Sequence, residues 1–151
     1  MTWQMQSIDS ASTEAFGERI GKYLKGGEVI ELISDLGGGK TTLVRGIARG
    51  AGSTDTVSSP TFTVSKEYRA DRFTIMHFDL YRLPEAGIIA DELAEYIGDE
   101  QVVTIVEWAD ILQNVLPKER LTIRLTQTGE HTREVACIYP ASLAYLLEEL
   151  A

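Results

Sequence analysis

The chain has 151 residues, 44% of them hydrophobic and 25% charged, with 13 glycines, 4 prolines and one cysteine. A chain of this length buries roughly 68–70% of its unfolded surface, enough for one core without disulfides or a structural zinc, and the lone Cys137 can build neither. Lys and Arg sum to 14 against 23 Asp and Glu, a net charge of −9 that argues against a direct grip on nucleic-acid phosphates. No apolar run precedes the first basic residue, Arg19, and the most apolar stretches, such as Val102 to Val106, are far shorter than the ~20 residues that span a bilayer. One soluble, cytoplasmic domain over residues 1–151 is the expectation.

Trp3 to Ile8 reads as an opening strand. Asp9 to Ser12 offers helix N-caps, Phe16, Ile20, Tyr23 and Leu24 recur at helical spacing, and Gly26-Gly27 ends the helix. Val29, Ile30, Leu32 and Ile33 form the short apolar run of a strand covered on both faces. A glycine loop follows, and Leu43, Val44, Ile47, Ala48 and Ala51 then make one helical stripe that stops at Gly50 to Gly52. Phe62, Val64, Lys66 and Tyr68, a turn at Ala70 to Arg72, and alternation from Phe73 to Tyr81 predict an antiparallel hairpin. Pro84 is placed to open a helix with Ile88, Ile89, Leu93, Tyr96 and Ile97 buried and Gly98 closing it. Val102 to Val106 reads as a second buried strand. Leu121, Ile123 and Leu125, a turn at Thr128 to Glu130, and Arg133 to Tyr139 predict a second hairpin, followed by a terminal helix over Ala141 to Leu150. These elements sum to an α/β sandwich whose sheet is parallel where strands alternate with helices and antiparallel at the hairpins.

Ser34-Asp35-Leu36-Gly37-Gly38-Gly39-Lys40-Thr41 lies between the buried strand and the amphipathic helix, the setting in which a phosphate-binding loop has physical meaning. Glycines let backbone N–H groups wrap a β-phosphate, Lys40 supplies charge to the β- and γ-phosphates, the helix points its positive end at them, and Thr41 is the magnesium hydroxyl. Ser34 stands where the strict pattern has its first glycine. Such a loop needs a further carboxylate for the metal, usually from a neighbouring strand end, and Asp79 and Glu107 both qualify. Thr61, in Ser58-Ser59-Pro60-Thr61-Phe62, resembles a switch-type hydroxyl that approaches the γ-phosphate. His77 has two readings, as a group that tunes Asp79 or reads the phosphate state, or as a strand histidine packed in the core or at the interface. Two histidines and one cysteine cannot assemble a His or Cys metal cluster, and no Asn-Lys-x-Asp guanine-reading motif occurs, which favours ATP over GTP.

Asp35 to Leu43, Ser59-Pro60-Thr61-Phe62, His77-Phe78-Asp79-Leu80-Tyr81-Arg82 and Glu107-Trp108, in this order and spacing, resemble the bacterial TsaE (YjeE) family of small ATPases. The resemblance runs along essentially the whole chain. It implies a single-domain P-loop NTPase-like three-layer sandwich, with a mainly parallel central sheet and antiparallel hairpin strands. It also implies an ATPase needed to make threonylcarbamoyladenosine beside the anticodon of tRNAs that read codons beginning with A. The implied cofactors are ATP and Mg2+. The implied partners are the threonylcarbamoyl-transferase subunits TsaD and TsaB, with tRNA reached only through them. By the same resemblance Gly37, Gly38, Gly39, Lys40, Thr41 and Thr42 hold the phosphates, Thr41 and Glu107 are magnesium positions, and Asp79 is a second acid near metal or attacking water. Trp108 lies beside the nucleotide, Thr13 near the adenine, and Arg133 at a late nucleotide contact. Two other readings stay open from the residues alone: a small phosphotransferase acting on a metabolite, and a nucleotide-sensing binding module with negligible turnover.

Overall fold

A computed structural model describes residues 1–34, 39–60, 64–81 and 87–150, with Ile88 described by its backbone only. The elements are β1 (Thr2–Ser7), α1 (Ser10–Tyr23), β2 (Val29–Ile33), α2 (Lys40–Gly50), β3 (Ser65–Arg69), β4 (Thr74–Asp79), α3 (Gly87–Tyr96), β5 (Val102–Glu107), β6 (Leu121–Gln127) and β7 (Arg133–Ile138). Short 3-10 turns span Ala109–Leu112, Ala141–Leu146 and Glu148–Leu150. The sequence predicts one terminal helix from Ala141 to Leu150, and the structure corrects this to two 3-10 segments. A spacing of three stacks Leu143 on Leu146, and those two and Leu147 are all buried against the sheet, so packing overrides the longer helix. Tyr145 from this segment reaches Glu28 at 2.5 Å.

All seven strands form one sheet in the order β1-β7-β6-β2-β5-β4-β3. The four central strands β6, β2, β5 and β4 run parallel, while β7, β1 and β3 add antiparallel edges. This is the α/β sandwich with the mixed sheet that the alternation of elements predicts. The continuous apolar runs of β2 and β5 reflect burial on both faces. Ile30, Leu32, Ile105 and Ile123 join Phe16, Ile20, Leu43 and Ile47 of α1 and α2 in one core layer. Val29, Phe78 and Val106 join Leu93 of α3 and Leu112 in the other. Cys137 lies in the first layer, where burial pushes its thiol up to about 12, so it is chemically inert at neutral pH.

The second layer hides an acid, Glu31, in mid-strand. It is satisfied by Arg120 Nε at 3.0 Å, Gln113 Nε2 at 2.8 Å and Thr122 Oγ1 at 3.2 Å. A buried charge is tolerable only when so paired, and the result ties the segment that follows β5 to the middle of the sheet.

Two helices meet unusually closely on the first layer. A Cβ built on Gly21 would stand 2.0 Å from the Ile47 carbonyl oxygen, and one on Gly46 would stand 2.1 Å from that of Glu14. Gly17 and Gly50 are similarly blocked by backbone. Glu14 also pairs with Arg49 at 2.6 Å and Arg45 at 3.6 Å. Exposed pairs of this kind contribute about 0–1 kcal/mol, so the glycine contact, not the ion pairs, sets how α2 lies on α1. Gly46→Ala forces the helices apart and destabilises the fold by about 1–3 kcal/mol. Urea unfolding checks this by a lower midpoint with an unchanged slope, and an unchanged midpoint contradicts the close approach.

Candidate functional site

The carboxyl ends of β2, β4 and β5 open on one side of the sheet, the side at which α2 begins. In an open α/β sheet this is where ligands bind. Gly39 caps α2 with φ +95°, a left-handed conformation that favours glycine, and glycine brings no capping side chain. The first-turn N–H groups of α2 therefore have no intrahelical acceptor, and the helix dipole adds to their pull on an anion.

Lys40, the first residue of α2, is 7% exposed. Its ammonium donates to the Ser34 carbonyl at 3.2 Å and lies 4.7 Å from the centre of the Trp108 ring. Both contacts suit a cation that has left water. Trp108 takes a left-handed backbone conformation, φ 57°, directly after β5, and this turn swings its ring toward Lys40. Tyr81, after β4, packs against the same indole at 4.9 Å between centroids. Tyr81 carries no role in the sequence reading; the signal for it is its place two residues beyond the strand-end Asp79.

Asp79 and Glu107 are the last residues of adjacent parallel strands and are register partners. Partners across a parallel pair point to the same face, here the face carrying α1 and α2, as Ile105 in the first core layer shows. Both acids are buried. Asp79 accepts from the Tyr81 backbone N–H at 3.1 Å and from Ser59 Oγ at 3.5 Å. Glu107 Oε2 is hydrogen-bonded to His77 Nε2 at 2.5 Å. Of the two readings of His77, the buried one is observed, but its partner is Glu107 and not Asp79. Among the described residues no three His, Cys, Asp or Glu side chains stand together as a metal site.

The Ser58-Ser59-Pro60 segment is held from β3 and β4. The Tyr68 hydroxyl donates to the Ser58 carbonyl at 2.9 Å, Lys66 bonds the Ser58 hydroxyl, and Ser59 reaches Asp79. Burial pushes the Tyr68 phenol above its ordinary value, partly offset by its bond to Ser58. Val64 closes the segment with φ 69°, a strained conformation for a β-branched residue. Its N–H donates to the Pro60 carbonyl at 2.7 Å and its carbonyl accepts from the Asp79 N–H at 2.8 Å. Thr61, Gly37 and Gly38 lie outside the described residues, as does Arg82.

Thr13 and Arg133, far apart in sequence, line one cleft together with Gly39 and Thr42 of α2, Asp9 and His131. Thr13 is buried, with its hydroxyl 2.7 Å from Ser7 Oγ, and Asp9 caps α1 by accepting from the Ser12 N–H at 2.8 Å. That bond holds the Asp9 carboxyl below its ordinary value. Thr41 is half-buried on the first turn of α2. Of the sequence-predicted residues that are described, one group gathers at the strand ends: Lys40, Asp79, Glu107 and Trp108. A second gathers at the cleft: Gly39, Thr42, Thr13 and Arg133. Both meet at the start of α2.

Residues 7–135 match the family model "Threonylcarbamoyl adenosine biosynthesis protein TsaE". The chain belongs to the TsaE family. It is 38% identical over 130 residues to the Bacillus subtilis tRNA threonylcarbamoyladenosine biosynthesis protein TsaE, covering 86% of this chain and 81% of the relative. To the protein of the same name from Treponema pallidum it is 33% identical, covering 85% and 95%. The crystal structure of Bacillus subtilis YdiB superposes with a TM-score of 0.83 at 33% identity over 99% of this chain and 94% of that one. The fold is the P-loop NTPase-like one of this family, and among the described residues no helix is long and apolar enough to cross a membrane.

Tyr68→Phe deletes the bond to Ser58 and leaves a half-buried carbonyl without that donor, at about 1 kcal/mol. Hydrogen exchange across residues 57–60 rises while protection in β5 holds; unchanged exchange contradicts the pinning role.

Proposed function

We propose that this chain is a Mg2+-dependent ATPase needed for threonylcarbamoyladenosine modification of tRNA, acting in the cytoplasm, as one domain, on the transferase subunits TsaD and TsaB. The observation that carries the nucleotide part is the convergence of Lys40 at the start of α2 with Asp79 and Glu107 at in-register strand ends. A helix N-terminus beside a buried ammonium suits phosphate. Two nearby carboxylates with no third His, Cys, Asp or Glu among the described residues suit Mg2+, which is usually held by one or two acids plus phosphate oxygens and water.

In this reading Gly37 to Thr42 cradle the phosphates with backbone N–H groups and Lys40 offsets their charge. Thr41 and Glu107 are the metal-facing groups, joined by Asp79, and bound Mg2+ would supply charge neutralisation at the β- and γ-phosphate oxygens. Asp79 accepts a hydrogen bond from the attacking water and fixes its line of approach, and Thr61 serves as the switch-type hydroxyl. Trp108, Thr13 and Arg133 contact the rest of the nucleotide. Chemistry of this type is mostly positioning. The pins on Ser58 and on Val64 make these two points the natural place to report the phosphate state to a partner. The net charge of −9 supports a role in which tRNA is held by other subunits.

The test is a mass-spectrometric count of threonylcarbamoyladenosine in tRNA incubated with reconstituted transferase subunits and either the intact chain or Lys40→Ala. Multiple turnovers with the intact chain alone, and a fall in ATP hydrolysis of about a hundredfold in the variant, are expected. ATP consumption that needs a metabolite and no protein partner instead identifies a phosphotransferase.

A further inference from the structure

His77 has no role in the chemistry described so far, yet it occupies the middle of a core strand. It is fully buried, and its Nε2 lies 2.5 Å from Glu107 Oε2. Its other ring nitrogen, Nδ1, has no hydrogen-bond partner among the described residues. An unsatisfied buried nitrogen lowers stability, and an apolar side chain at this place would avoid it. What the imidazole gains is a single bond, and that bond goes to the carboxylate ending β5.

The geometry makes the bond specific. His77 and Asp79 share a face of β4, and Asp79 is in register with Glu107, so the imidazole reaches diagonally across one strand spacing. Tyr68 packs on the ring at 6.1 Å between centroids and is itself tied to Ser58. With an ionised carboxylate as acceptor the proton sits on Nε2, which leaves Nδ1 as a bare lone pair. The bond engages Oε2 of Glu107, the last residue of β5.

We propose that His77 is a positioning residue whose Nε2–H fixes the Glu107 carboxylate in one orientation, so that Glu107 meets the metal of the bound nucleotide already aligned. This rests on the ATPase reading above. Outer partners of metal-facing groups act in this way, and their loss typically costs about 10- to 100-fold in activity or metal affinity.

Three forms of the full chain decide it: wild type, His77→Leu, which keeps the volume and loses the donor, and His77→Gln, which returns an N–H near the Nε2 position. The expected result is an ATP turnover number about 10- to 100-fold lower in His77→Leu. The KM for ATP stays within about twofold, the Mg2+ concentration for half-maximal rate rises, and His77→Gln recovers most of the loss. A purely structural histidine predicts instead that both variants fall together with their melting temperatures. Equal rates in wild type and His77→Leu, or no recovery in His77→Gln, overturn the proposal. Independently of turnover, 15N-detected imidazole NMR of the nucleotide-free wild type is expected to show the Nε2–H tautomer with a downfield, exchange-protected proton that moves in Glu107→Gln. An Nδ1–H tautomer, or a signal indifferent to Glu107→Gln, also overturns it. A wild-type chain without ATP turnover sinks the nucleotide reading, and the NMR arm still decides the bond.

Discussion

Two carboxylates in register at the ends of neighbouring strands are the constraint around which this molecule is arranged. Asp79 and Glu107 sit one strand spacing apart, both buried and both facing the helix layer. Side by side, two anions repel and resist desolvation. The chain answers with a separate partner for each: a backbone N–H and a serine hydroxyl for Asp79, and an imidazole for Glu107. The buried Lys40 and the open N-terminus of α2 stand at the same end of the sheet. Clustered charge of both signs is costly in a core and useful in a site that binds a polyanion with its metal.

The rest of the fold fixes where these groups stand. Parallel pairing of β2 with β5 and β5 with β4 brings three strand ends to one edge. The glycine contact between α1 and α2 lets α2 lie close to α1, which also brings Thr13 of α1 beside Gly39 and Thr42. The Glu31 cluster anchors the segment after β5, and with it the turn that aims Trp108 at Lys40.

Much of this was legible in the sequence wherever neighbours in space are neighbours in the chain. The buried strand and the amphipathic helix lie close together in the chain, so β2 and α2 could be read by period and composition. Both hairpins were readable for the same reason, although alternation put Val64 on the first of them and the structure places it before β3 in a left-handed conformation. Register between β4 and β5 was not: Asp79 and Glu107 are 28 positions apart in the chain, and nothing local says that their ends align. For that reason His77 could be matched to Asp79, two residues away, but not to Glu107. The glycines at 17 and 21 and at 46 and 50 carried a signal, small residues four apart on two helices, that points to close packing once the helices are known to be neighbours. At the C-terminus helical periodicity misled, because burial of three leucines chose tighter turns. Thr13 and Arg133 entered only through family resemblance, and their meeting at one cleft is a tertiary fact.

The proposed function requires that the strand-end acids and the start of α2 form one site for a nucleotide with its metal. Calorimetric titration of the intact chain with a non-hydrolysable ATP analogue, with and without Mg2+, tests it most directly. Saturable 1:1 binding at least about tenfold tighter with Mg2+ is expected, with the gain lost in Glu107→Gln while the metal-free affinity is retained. Binding indifferent to Mg2+, or an undiminished Mg2+ gain in Glu107→Gln, would contradict it.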